Sequence, residues 1–344
     1  MFPQESSEVN DEVTIRVLDS YMEEKAAAVS CLGWLIAENS DASASFIEAS
    51  FEILASLTTF DLYTPVASAA MVSLVQVCSG LLTFLEEDFE WRKAEPSLFP
   101  ESVTEALVRV FEKFGLVLLL PEQSVVRSAI ESIGKLALTM GPSSVLSALP
   151  QIVKAMTDIL RRQAPYQLEC ESFEENEEDF VTFSVVLDVA TDLTKSCGKL
   201  FVPYLPDFFN CLAPYLQDET PGEYKECVFD CIARVAEELE DNFQPFAAAF
   251  IPVYLQFFAT DSDSMIQQIC MCLRMSLRYG SLSVDLISQI WPIVTELLKL
   301  DEEEHRSSFD CLYGLTAQIL LTFPHGLPAE KVSQSVSVLH LHSF

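Results

Sequence analysis

Basic residues are scarce in this chain. Lys and Arg number 20 against 52 Asp and Glu, which leaves a formal charge of −32 over 344 residues. Gripping a phosphate backbone requires Lys and Arg, so direct binding of nucleic acid is not expected. The chain has no P-loop, no GxSxG and no GxGxxG, so no enzyme activity and no cofactor are expected. Its four histidines, His305, His325, His340 and His342, lie apart in sequence from Cys227, Cys231, Cys270 and Cys272. Zinc needs paired Cys or Cys with His at set spacings, so no metal is expected. The long apolar stretches are interrupted, as in residues 200–216 by Pro203, Pro206, Asp207 and Pro214. A membrane span of about 18–20 apolar residues is therefore not expected. The opening MFPQESSEVNDE has no basic segment followed by an apolar run, so it does not read as a secretory signal.

Hydrophobic residues make up 50% of the chain and mean hydropathy is +0.26. That is high for a soluble protein but ordinary for stacked amphipathic helices that each bury a face. Ten cysteines are spread through apolar helical segments, which reads as buried free thiols in a reducing compartment rather than a disulfide scaffold.

The chain also repeats itself. Cys-aliphatic pairs recur as Cys31-Leu32, Cys231-Ile232, Cys272-Leu273 and Cys311-Leu312, two of them within a Phe-Asp-Cys-aliphatic tetrad at Phe229 and Phe309. Weaker copies centre on Leu74, Ile133 and Val189. The anchors Leu32, Leu74, Ile133, Val189, Ile232, Leu273 and Leu312 are 42, 59, 56, 43, 41 and 39 residues apart. Periods of about 40–47 residues belong to HEAT and armadillo arrays, each repeat being an antiparallel helix pair. The expected fold is all-α, a right-handed HEAT-repeat superhelical solenoid of about seven helix pairs, and one continuous array over 1–344.

Helices are expected at 13–39, 41–57 with Asp41 as N-cap, 64–80 with Gly80 as the stop, 101–120, 122–140 ended by Gly141-Pro142, and 143–162. They continue at 180–197, 203–216, 223–239, 245–259, 264–279, 283–300 and 306–322. The two long steps hold insertions: a charged connector at 86–100 and a non-helical acidic loop at 163–179. Neither end shows a polar capping repeat, which is the pattern of a segment of a longer array.

Residues 13–46, VTIRVLDSYMEEKAAAVSCLGWLIAENSDASASF, resemble a repeat of the importin-β, or karyopherin-β, nuclear transport receptors, in particular the importin-four branch. The order of later features fits the same family: a charged connector, an acidic loop before Phe180, then 200–216, 223–237, a helix pair ending at Gly280, and 306–324 with 327–338. The stretch is similar to the middle and C-terminal repeats. The resemblance implies nuclear import of basic protein cargo of the histone or ribosomal-protein class, contact with Phe-Gly nucleoporins through slots between outer helices, and shuttling between cytoplasm and nucleus. It implies that Ran-GTP acts through repeats this chain lacks. A monomer is expected. Armadillo receptors of the importin-α type carry a Trp and Asn ladder, whereas this chain has five Asn, none recurring at the period.

The candidate cargo-binding residues are carboxylates. Seven of the eleven residues 169–179 are acidic, and Glu174, Glu175, Glu177, Glu178 and Asp179 form the densest part of that loop. Packed carboxylates repel one another and gain by meeting Lys or Arg. The second helix of each repeat carries Glu24, Asp188 with Asp192, Glu226 with Asp230, Glu237, and Asp310. The two pairs spaced by four share a helix face, where like charges cost a few tenths of a kcal/mol (about 0.2–0.5) that a partner cation would relieve. Asp230 and Asp310 stand at equivalent repeat positions. Trp34, Trp91 and Trp291 read as core or inter-repeat packing. A second function is carried on the same pattern: a HEAT scaffold assembling a phosphatase or checkpoint-type complex, which would ignore Phe-Gly repeats.

Overall fold

A computed structural model describes residues 8–39, 44–85, 101–168, 177–258, 262–280, 284–299 and 306–323. The described residues contain helices and no strand. Asp41, Glu174, Glu175, Trp91, the connector 86–100 and all four histidines lie outside them.

The chain divides into two compact units, Met1–Cys197 and Gly198–Phe344. The first holds α1 (Glu8–Glu38), α2 (Ile47–Leu57), α3 (Thr64–Leu85), α4 (Glu101–Val117), α5 (Gln123–Met140), α6 (Leu149–Leu160) and α7 (Glu177–Cys197). Here α1, α3, α5 and α7 pack one on the next as a layer, while α2, α4 and α6 pack as their partners. The second holds α8 (Leu205–Leu212), α9 (Gly222–Leu239), α10 (Gln244–Phe257), α11 (Asp263–Tyr279), α12 (Val284–Leu297) and α13 (Arg306–Thr322). In it α9, α11 and α13 stack in the same way, with α10 packed on α11 and α12 on α13.

The seven sequence anchors all fall on the stacked helices. Leu74, Ile232, Leu273 and Leu312 are 0% exposed, Ile133 1% and Val189 2%, so the period marks the buried seam. Small donors stitch that seam. Ser73 Oγ donates to Val29 O at 3.0 Å and Cys272 Sγ donates to Phe229 O at 3.0 Å. In both, the donor precedes its anchor by one residue and the acceptor precedes the previous anchor by three. Ser196 Oγ donates to Ala137 O at 2.7 Å, and Ser308 Oγ to Asp263 O at 3.1 Å. A small residue here allows backbones to approach, and each bond satisfies a buried hydroxyl or thiol that would otherwise lose its water.

The partner helices are shaped by proline. Pro150, Pro206 and Pro245 stand in first turns, where the missing N–H is an orphan anyway. Pro252 and Pro292 interrupt α10 and α12 forty residues apart, both on the exposed side. Beneath them aromatics fill the second unit: Phe229 meets Tyr254 edge-on at 5.9 Å, and Phe209 meets Phe250 at 4.8 Å. Trp291 is 1% exposed and belongs to this core.

Several boundaries differ from expectation. α3 runs five residues past Gly80, which is buried inside the helix; a Cβ there would stand 3.1 Å from Ile36 O. Gly80 is thus a close-packing glycine, not a stop. Gly141, with φ 84°, does end α5. The expected helix 143–162 is a short 3-10 turn at Pro142–Ser144 followed by α6, because Pro150 fits only a first turn. Likewise 203–216 is α8 flanked by 3-10 turns. The loop 163–179 is not wholly irregular: Pro165–Leu168 forms one turn, and Glu177, Glu178 and Asp179 open α7, where acids complement the helix dipole. One helix does reach membrane-spanning length and apolarity: Thr64–Leu81 in α3 has mean hydropathy 1.4 and carries no charge. Its Val66, Ala67, Ala70, Met71, Leu74, Val77 and Cys78 are 0% exposed. That burial is the behaviour of a core helix enclosed by α1, α2 and α5.

Candidate functional site

The acidic residues of the stacked helices range from half-buried to exposed. On α9, Glu226, Asp230, Arg234 and Glu237 follow one another at helical spacing down one face. Glu226 is half-buried. One carboxylate oxygen accepts from Ser262 Oγ at 3.0 Å and the other from Ser264 Oγ at 2.8 Å. Ser262 caps α11, accepting from the Met265 N–H at 3.4 Å. Glu226 therefore braces the start of α11 against α9. Asp230 lies 3.3 Å from the Arg234 guanidinium, four residues along. The repulsion inferred between Glu226 and Asp230 is thus relieved within the fold, by two hydroxyls and one arginine. The signal for this was the Asp-x-x-x-Arg spacing, which was outweighed by the acidic surplus.

On α7, Asp188 is exposed, while Asp192 is half-buried against α5, with Oδ2 3.0 Å from the place a Gly134 Cβ would occupy. Asp179 accepts from Gln123 Nε2 at 2.9 Å, and the same amide reaches Thr182 Oγ1 at 3.0 Å. That network ties α7 to α5. Glu177 and Glu178 are exposed, as are Glu24 on α1, Glu237 on α9 and Asp310 on α13. Among the described residues, each unit carries exposed carboxylates, while Asp179, Asp192, Glu226 and Asp230 take part in packing.

Burial rather than reactivity governs the thiols. Burial pushes Cys78 from the usual 9.0 up to about 12 and Cys197 to about 11. Cys270 and Cys272 are raised by the same cause, with nearby thiols adding to it. Cys31 on α1 is exposed. Among the described residues, no group of three or more His, Cys, Asp or Glu side chains is placed to hold a metal ion.

A different feature was not legible in the sequence. A cleft of ≈ 400 Å³ opens between α4 and the start of α6. Val108, Phe111, Phe114, Leu118 and Ile152 wall it, Ile133 of α5 forms its floor, and Glu112 and Gln151 stand at its margin. Gly115 contributes no side chain there. In α4 the apolar periodicity reads as an ordinary core face. The additional apolar residues Val108, Leu116 and Leu119, 50%, 53% and 66% exposed, were the available hint.

No family model matches the sequence, and no curated protein matches it. Solved structures do match. Kap121p bound to Pho4p superposes with TM-score 0.71 at 14% identity, over 93% of this chain and 30% of that one. The fold is a karyopherin's. The same receptor, the karyopherin Kap121p, bound to the SUMO protease Ulp1p gives TM-score 0.70 at 15% identity, over 89% and 29%. Its complex with Nup53p gives 0.68 at 16%, over 91% and 29%. The fold class is thus the all-α HEAT-repeat solenoid of those receptors, and the chain spans about 30% of the length of the karyopherin chains it matches.

Proposed function

We propose that this chain is the cargo-binding part of a nuclear import receptor of the importin-β family, in the importin-four branch. The observation that carries the reading is the karyopherin fold over 93% of the chain, in a receptor solved with a protein ligand. The ligand class is argued from charge: with 52 acidic and 20 basic residues, the field of the protein favours a basic protein partner and steers its approach. Histones and ribosomal proteins are the proposed cargo. The exposed carboxylates Asp188, Glu237, Asp310, Glu177 and Glu178 make the direct contacts, with Glu174 and Glu175 alongside. Asp192, Asp179, Glu226 and Asp230 hold the helices that present them. The protein shuttles between cytoplasm and nucleus and acts without catalysis. The cleft between α4 and α6 is the proposed slot for a phenylalanine of Phe-Gly nucleoporins, since Phe111, Leu118 and Ile152 give it apolar walls.

The test is binding of a fluorescent histone-tail peptide across a salt series. Affinity should fall steeply with salt, because exposed charges are screened within about 10 Å at 0.1 M. The triple change Asp188→Lys, Glu237→Lys and Asp310→Lys should weaken binding about tenfold or more. These positions are preferred to Glu226 and Asp230, whose reversal would disturb the α9–α11 packing. Equal binding of a composition-matched neutral peptide would refute the reading.

A further inference from the structure

Within the second unit, two contacts fix how α13 lies on α11. Ser308 Oγ donates to Asp263 O at 3.1 Å, and Arg274 Nη1 lies 3.2 Å from the place a Gly314 Cβ would occupy. On α11, Asp263, Gln267, Cys270 and Arg274 follow at steps of four, three and four, so they form one stripe. On α13, Ser308, Cys311 and Gly314 follow at steps of three. Cys270 thus stands between two residues that touch α13, and Cys311 between two that touch α11. Serine, cysteine and glycine are all small, which lets the two backbones approach along this seam. Cys270 is 0% exposed and Cys311 is half-buried. Cys311 also acts on the Cys270 thiol more strongly than Cys272 does, although Cys272 is only two residues along the same helix.

We infer that Cys270 and Cys311 are a redox pair, which a peroxide closes into a reversible disulfide between α11 and α13. Cys311 reacts first, because it is half-buried whereas Cys270 is enclosed. Burial raises the Cys311 thiol above 9.0, while a hydrogen bond with Gln267 and the charge of Arg274 act against that rise. The Cys311 thiolate attacks one oxygen of the peroxide. An S–O bond forms, the O–O bond breaks and hydroxide leaves, so Cys311 becomes a sulfenic acid. The Cys270 sulfur then attacks the Cys311 sulfur. The S–S bond forms, the S–O bond breaks, and the hydroxyl departs as water with the Cys270 proton. The proton that Cys311 gave up at the start neutralises the hydroxide, and the two thiols together pass two electrons to the peroxide. The bond ties one repeat to the next. Cys231 and Cys272 supply the contrast, since 41 residues separate that pair as they separate Cys270 from Cys311. Cys272 Sγ already donates to Phe229 O at 3.0 Å, and Cys231, two residues past Phe229, lies on another face of α9. That pair stays reduced.

The test exposes the reduced whole protein to hydrogen peroxide. Free thiols are then blocked with iodoacetamide in denaturant, and peptides are mapped by mass without reductant. One linked pair joining Cys270 to Cys311 is expected, and dithiothreitol should release it. Cys311→Ser should abolish the link. Cys270→Ala should leave Cys311 as a sulfenic acid that dimedone traps, with circular dichroism confirming that this variant keeps its helices. Closing a loop of this length should raise the melting temperature of the parent by about 5 °C or more and leave that of Cys311→Ser unchanged. Cys311 trapped by dimedone in the parent, with Cys270 still a free thiol, would overturn the inference. So would a Cys231–Cys272 link formed in its place, or a linked parent that melts no higher than the reduced one. None of these outcomes depends on the cargo reading.

Discussion

Replacing Gly33 by Ala should destabilise the protein, whereas replacing Gly115 by Ala should stabilise it. Both glycines sit inside helices, where alanine is intrinsically better by about 1 kcal/mol. They differ in what the new methyl group meets. At Gly33 a Cβ would stand 2.5 Å from both Cβ and Oγ of Ser73, with Gln76 Oε1 also in contact. Gln76 can swing aside, but Ser73 Cβ moves only with the backbone of α3. Overpacking of a seam costs about 1–3 kcal/mol. If Ser73 is displaced, its bond to Val29 O goes as well, for about 1 kcal/mol more. Subtracting the propensity gain leaves a net loss of about 1–3 kcal/mol. At Gly115 a Cβ meets nothing within 4 Å, so the full gain of about 1 kcal/mol should appear. The assay is urea unfolding followed by far-UV circular dichroism, with m-values checked for constancy. Gly33→Ala as stable as the parent, or more stable, would refute the close α1–α3 approach. Gly115→Ala should in addition narrow the cleft and weaken any binding of a Phe-Gly peptide there.

The seam hydroxyls should behave oppositely from one repeat to the next. Ser73→Ala should cost about 1 kcal/mol in urea unfolding, because the Val29 carbonyl loses its donor. Ser132 holds the equivalent position before Ile133, yet its Oγ is buried without a hydrogen-bond partner. Ser132→Ala should therefore be neutral or stabilising by up to about 1 kcal/mol. Stability should also fall in alkali. Cys78 titrates near 9.0 when unfolded and is pushed to about 12 when folded. The unfolded chain then holds fewer protons between those values, so the contribution of this thiol is intact below pH 9 and lost as pH rises toward 12. Cys197 acts in the same direction up to about 11. Melting temperatures measured from pH 8 to pH 10.5 should decline, and Cys78→Ala should flatten the decline. With iodoacetamide at pH 8 on the native protein, Cys31 should react first and Cys78, Cys270 and Cys272 should stay unmodified until unfolding. Phe111→Asp should abolish Phe-Gly peptide binding in the cleft while leaving histone-peptide binding unchanged, and loss of both together would unseat the two-surface reading.

The repeat period, the all-helical class and the positions of the buried anchors were legible in the amino-acid sequence. They follow from local spacing: an aliphatic residue near every 42nd position must return to the same face of the same helix to be buried at all. Helix starts were legible within a residue or two where proline or serine marks them, as at Pro245 and Ser264. The acidic surplus was also legible, because charge is additive and needs no geometry. What each carboxylate does was decided only by the fold. Glu226 and Asp230 look like a repelling pair on one helix, and only the approach of Ser262, Ser264 and Arg234 makes them satisfied. Gly80 reads as a stop until α1 is seen to press its backbone against it. Trp34 and Trp291 are the same residue type in similar apolar surroundings, yet one is open and the other is enclosed. The difference lies in which described residues pack against each, and contacts between residues far apart in sequence leave no local trace of that.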